Sequence, residues 1–171
     1  AGTSSTGTRA WNQAASSSDI TFALTQWSMD NWGEDVVACR RGSKIFYLDI
    51  NASVTPERAT IIPNSPAENN HILVSPNDRH LISFGCTGFA SAYSPLRVRW
   101  ADTEDYNNWT PSVSSTSGEV DLINGTEIIT AVRSRNQINI LTDQSLYGMT
   151  FVGGNDVFSF RQLGTNCGAF G

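Results

Sequence analysis

Short apolar runs separated by polar turns repeat along the chain, and the clearest set lies between Gly125 and Val152. Ile128, Ile129, Ala131 and Val132 form one run, Ile138, Ile140 and Leu141 a second, and Leu146, Tyr147, Met149, Phe151 and Val152 a third. Runs this short, rich in β-branched and aromatic residues and bounded by Arg-Ser-Arg-Asn and Thr-Asp-Gln-Ser, predict consecutive antiparallel strands. No helix of ordinary length fits between these turns. Asn124-Gly125 ahead of the first run is a turn signal, because both residues tolerate positive φ.

The same pattern occurs twice earlier. Ile20 to Trp27 alternates apolar with polar positions and predicts a half-buried strand. A turn-rich stretch from Ser28 to Asp35 follows, then strands at Val36–Cys39, Lys44–Asp49 and Ala59–Ile62. The next unit predicts strands at His71–Ser75, His80–Phe84 and Leu96–Trp100, with Gly85–Ser94 as a loop of small residues. A polar connection spans 102–119 and holds one ring of core character, Trp109. Val157–Leu163 follows the clearest set as a further strand. Val37 to Ile45 and Leu73 to Leu81 are both eight residues apart, and Ile129 to Ile138 nine. Units starting near 36, 72 and 128 give spacings of about 36 and 56, on either side of the ~40–50-residue period of propeller blades. The fold expected is therefore all-β, tandem antiparallel meanders of β-propeller type, with a two-layer β-sandwich as the alternative. About three blades over residues 20–171 do not close a ring, so the chain reads as a segment of something longer. Residues 1–19, small and polar apart from Trp11, read as an arm or linker.

Composition narrows the chemistry. The formal net charge of −5 argues against holding nucleic acid by a generally basic surface. Cys39, Cys86 and Cys167 form no CxxC pair and no metal-ligand cluster, and read as three buried free thiols in a reducing compartment. No run approaches the ~20 apolar residues of a membrane span. Asp102, Glu104 and Asp105 lack the Gly-bearing register of a calcium loop and read as a solvated acidic turn. His71 and His80 fit strand-end packing or hydrogen bonding better than metal ligation. Gly153-Gly154 lacks the following helix that phosphate binding needs. The Asn-x-Ser/Thr triplets at Asn51, Asn108 and Asn124 read as chance matches. No catalytic, metal or cofactor site is expected, and a glycosidase would need a placed carboxylate pair or a Tyr nucleophile. The candidate contact residues are Arg97 and Arg99, alternating on one strand, and Arg40, Arg41, Arg133 and Arg135 at tight turns. They are candidates for subunit contacts or for lining a nucleic-acid channel.

Two resemblances follow from particular residues. Thr103-Glu-Asp-Tyr-Asn-Asn-Trp109 resembles the Asp-box turn of sialidase-type propellers, with Asn107 in place of the usual Gly and Trp109 one position early. That box is structural and supports the fold, not a hydrolase. WADTEDYNNWTP, TDQSLYGMTFVG and QLGTNCG, within a likeness running from Trp27 to Gly168, resemble tailed-bacteriophage virion proteins of the packaged-DNA stabilisation and tail-nozzle type. The resemblance implies propeller-type domains in a homo-oligomeric ring below the portal, around the DNA exit channel. Other tail or portal proteins would be partners, with transient contact to double-stranded DNA, in virions assembled in the host cytoplasm. It implies no enzyme, no cofactor and no residue roles.

Overall fold

The structure, a computed structural model, describes residues 26–51, 58–154 and 156–169. Twelve strands, and no helix, occur among the described residues, so the all-β expectation holds. They form three four-stranded antiparallel meanders. The first sheet is β1 (Trp27–Trp32), β2 (Asp35–Arg40), β3 (Ile45–Leu48) and β4 (Thr60–Ile61). The second is β5 (Asn69–Val74), β6 (Leu81–Thr87), β7 (Tyr93–Trp100) and β8 (Gly118–Asp121). The third is β9 (Ile128–Arg133), β10 (Ile138–Thr142), β11 (Ser145–Phe151) and β12 (Phe158–Thr165). In each, strand order follows chain order, which is what short turns between sequential strands produce. The β2–β3 turn illustrates the local cause: Ser43 N–H donates to Arg40 C=O, and Gly42 takes the positive φ (73°) that the reversal needs.

The second sheet is buried on both sides. Ile72, Val74 and Leu81 meet Trp32, Val37, Cys39, Ile45 and Ile62 of the first sheet, with Trp109 filling the same core. On the opposite side Leu73, Ile82, Phe84, Val98 and Trp100 meet Ile128, Ile138, Ile140, Tyr147, Met149 and Phe158. Period-two alternation sends neighbouring residues such as Leu81 and Ile82 into different cores. Both are fully buried, each contributing about 1.5–3 kcal/mol relative to exposure. Three sheets and two cores are one layer more than a two-layer sandwich has.

The sheets stack with their first strands side by side: β1 and β2 lie against β5, and β5 against β9. A first strand is the edge of its sheet, so its outward backbone groups need partners from elsewhere. For β5 these come from β1. Ile72 N–H donates to Ser28 Oγ at 3.1 Å and Val74 N–H to Asp30 Oδ2 at 2.7 Å.

Several sequence expectations need correction. Ser28–Asp35 is not mainly a turn, since β1 occupies Trp27–Trp32 and only Gly33-Glu34 reverses the chain. The loop expected at Gly85–Ser94 shrinks to 88–92, because β6 runs on to Thr87 through a bulge and β7 starts at Tyr93. β8 (Gly118–Asp121) begins in the last two residues of the expected polar connection, 102–119. Cys39 and Cys86 are buried free thiols, but Cys167 is exposed, because it follows β12 outside both cores. The arm at residues 1–19 and the strand proposed from Ile20, up to residue 25, lie outside the described residues.

Candidate functional site

The six arginines fall into three separate groups. Arg97 and Arg99 alternate on β7 and share a face as expected, but that face is covered. Arg97 forms a bidentate pair with Asp121, its cross-strand neighbour on β8, both bonds at 2.7 Å. The Asp121 hydrogen bond, in turn, holds the guanidinium pKa up. Arg99 is buried; its Nη2 donates to Trp109 C=O at 2.8 Å and its Nη1 to Thr87 C=O at 3.2 Å. Its Nε lies 3.8 Å from Glu119 Oε2 and makes no hydrogen bond. Burial lowers the Arg99 pKa. The guanidinium also packs over the rings of Phe89 and Trp109.

Arg41 and Arg133 link the first sheet to the third. Arg41, in the β2–β3 turn, pairs with Glu127 at 3.1 Å and reaches Gln26 Oε1 at 3.2 Å. Arg133, at the end of β9, pairs with Asp30 at 2.6 Å and donates to Val74 C=O at 3.4 Å. Arg40 and Arg135 are exposed. Four of the six thus have internal partners, while Arg40 and Arg135 have no ion pair among the described residues.

The long connection between β7 and β8 is locked from within. Asp102 N–H donates to Asn108 C=O at 2.8 Å, and Asn107 N–H to Asp105 Oδ1 at 2.9 Å. Trp109 is 1% exposed, and its indole N–H donates to Tyr106 C=O at 2.8 Å. The stretch resembling an Asp box therefore serves as a hairpin clamp plugged by an aromatic ring. Asp102 Oδ1 accepts from Thr103 N–H (2.9 Å), Thr116 N–H (2.8 Å) and Thr116 Oγ1 (2.6 Å), while Oδ2 accepts from Asn108 Nδ2 (3.0 Å). Burial pushes the Asp102 pKa up, but those donors outweigh it and the net shift is downward.

The fully buried His80, expected from sequence to pack or hydrogen-bond at a strand end, does so at the centre of this clamp, though its partners were not foreseen. Nδ1 bonds Asp78, and Nε2 faces Thr103 Oγ1 at 2.9 Å and Thr116 Oγ1 at 3.0 Å. Asp78 also accepts from Ser75 Oγ at 2.5 Å. An acid, an imidazole and a hydroxyl in line resemble a nucleophilic relay; the Thr116 hydroxyl also donates to Asp102, so the same contacts tie the long connection to the turn before β6. The Asp78-x-His80 spacing was the available signal; the threonines join only through the fold. His71, inside β5, is held neutral: burial lowers its pKa, partly offset by a hydrogen bond to the Ala131 backbone.

A cavity of about 400 Å³ lies between the end of β7, the long connection and β8 on one side and the start of β12 on the other. Trp100, Phe158 and Phe160 form its apolar wall, and Ser112, Ser115, Ser117, Glu119 and Asp156 its polar rim. Glu119 Oε2 already accepts from Phe89 N–H at 2.8 Å, which makes it part of the frame. No protein-family model and no curated protein matches this chain.

Proposed function

We propose that this chain is a structural subunit of a phage tail nozzle or head-completion ring, built of propeller blades around the DNA exit channel. The observation that supports this best is the stack of three sequential four-stranded meanders with their first strands side by side, as blades sit around an axis. The resemblance of WADTEDYNNWTP, TDQSLYGMTFVG and QLGTNCG to virion proteins gives the biological setting. The mechanism is mechanical and electrostatic. Subunit contacts hold the ring, and a protein of net charge −5 keeps phosphates sliding instead of adhering. Braking by arginines would fall to Arg40 and Arg135, which have no ion pair among the described residues. The test is native mass of the assembled protein followed by particle imaging. Symmetric rings with an open bore are expected, and a monomer or trimer would overturn the reading.

A carbohydrate- or receptor-binding propeller at a tail tip is the second reading. Trp100 and Trp109 are both buried, which removes the stacking platforms it would use. The cavity beside Phe160, rimmed by serines and two carboxylates, is what favours it. A glycan-binding screen decides: saturable binding lost on Phe160→Ala would establish it.

A further inference from the structure

Asn124-Gly125 is the one Asn-Gly pair in the sequence, and the fold dictates its second residue. Gly125 takes a φ of 126°, which residues with a side chain rarely adopt. A Cβ there would also lie 2.8 Å from Thr142 Cβ and Oγ1 and 2.9 Å from Asp143 Oδ1. Asn124 is exposed, in the connection 122–127 that leads from β8 of the second sheet to β9 of the third. Three contacts hold it. Its N–H donates to Tyr147 Oη at 2.9 Å, its C=O accepts from Thr142 Oγ1 at 3.2 Å, and its Nδ2 donates to Gln162 Oε1 at 2.8 Å. The N–H groups of Thr126 and Glu127 both reach Asp143 Oδ1, but Gly125 N–H makes no hydrogen bond among the described residues.

We infer that Asn124 is a site of spontaneous deamidation in the folded protein, and that the reaction loosens the joint between the second and third sheets. The Gly125 amide nitrogen gives its proton to water or hydroxide and attacks Asn124 Cγ. The N–Cγ bond forms, the Cγ–Nδ2 bond breaks, and Nδ2 leaves as ammonia with a proton from water. Water then opens the cyclic imide at one of its two carbonyls, leaving aspartate or isoaspartate. No oxidant, reductant or second protein is needed, and asparagine is among the thermolabile residues. Three features select this pair. Glycine has no side chain to obstruct ring closure. Its nitrogen has no hydrogen bond to give up, and the Asn124 amide is anchored by a single bond at the surface. Asn64-Ser65 supplies the contrast within the same chain. Asn64 is also exposed, but Ser65 is buried and its N–H donates to Ile62 C=O at 3.3 Å.

Both products lose the Asn124 donor to Gln162, which ties the connection to β12. Aspartate sets an acceptor against the Gln162 oxygen. Isoaspartate goes further, because it inserts a methylene into the main chain directly before Gly125, where Thr142 leaves no room for a Cβ.

Timed incubation of the full chain at pH 8, with peptide mapping that separates amide, aspartate and isoaspartate, tests the inference. In the folded protein, acid at position 124 is expected to accumulate several-fold faster than at Asn64. Conversion of Asn124 only after unfolding in urea would overturn the inference, because the fold would then be protecting the pair. Asn124→Gln, whose longer side chain disfavours ring closure, is expected to keep its amide over the same incubation; loss at an equal rate would overturn the cyclic route. Asn124→Asp supplies one product directly and is expected to unfold at lower urea concentration than the unsubstituted protein. An equal midpoint would overturn the loosened joint.

Discussion

Asp30 in β1 and Arg133 at the end of β9 meet at 2.6 Å across 103 positions of sequence, with the Val74 backbone of β5 between them. Asp30 accepts from Val74 N–H and from Arg133 Nη2, while Arg133 Nη1 donates to Val74 C=O. One carboxylate thus ties an edge backbone group of the second sheet and a side chain of the third to the first. The two partners differ in exposure: the Asp30 side chain is 8% exposed and that of Arg133 44%. Asp30→Ala leaves a buried N–H without an acceptor and is expected to cost about 2–4 kcal/mol. Arg133→Ala removes a partly solvated cation and is expected to cost about 1 kcal/mol. Urea denaturation of both variants measures this, and equal costs would contradict the account.

His71 makes stability depend on pH near neutrality. Its folded pKa lies below the ordinary 6.5, with burial the main cause. As pH falls below 6.5 the unfolded chain binds a proton that the folded chain does not, so stability is full above 6.5 and declines below it. The midpoint for urea unfolding is expected to fall between pH 7 and 5.5, and His71→Gln to flatten that slope. An unchanged slope in the variant would assign the effect elsewhere.

The clamp on the long connection answers to Asp102. Its lowered pKa stabilises the fold at pH above ~4, and that contribution is lost as acid protonates the carboxylate. Asp102→Ala removes the acceptor for Thr103, Asn108 and Thr116 together. Limited proteolysis is expected to cut within residues 103–117 several-fold faster in the variant, with the rest of the chain protected. Cleavage rates equal to those of the unsubstituted protein would mean that Trp109 alone holds the loop.

Thiol reactivity should separate the three cysteines. Burial pushes Cys39 and Cys86 up to about 12, whereas Cys167 is exposed. A thiol reagent at pH 8 is expected to modify one cysteine in the native protein and three in urea. Rapid native modification at Cys39 or Cys86 would reveal opening of a sheet interface.

DNA retention by assembled rings is expected to be weak and to change little between low and moderate salt, since few phosphates are neutralised. Steep loss of retention with salt would count phosphate contacts and restore the arginines as a binding strip.

The sequence made much of the architecture legible, and its failures have identifiable physical causes. Ten of the twelve strands coincide at least in part with the expected apolar runs, but β1 looked like a turn because Ser28 and Asp30 sit where a strand would carry apolar residues. They are polar because they satisfy the edge backbone of β5, which local periodicity does not reveal. β8 escaped notice because it is short and starts with a glycine. Gly118 lies opposite Trp100, whose indole occupies the space a Cβ would take, 2.6 Å away. The arginine pattern on β7 was visible, but its neutralisation by Glu119 and Asp121 depends on a strand that was not. The His80 cluster draws on the β5–β6 turn, the long connection and its far end, with His80 and Thr116 36 apart in sequence, and only the folded chain unites them.

The meander order of every sheet also bears on how the chain folds. Hydrogen bonds within a sheet join residues close in sequence, so each hairpin closes a short loop and forms quickly. Side chains and a few edge contacts join the sheets, over separations such as the 44 residues from Asp30 to Val74. Sheets that form early therefore wait on docking, and the middle one, apolar on both faces, is the most prone to aggregate while undocked. As synthesis delivers the first sheet before the second, one face of that middle sheet has a partner as soon as it emerges.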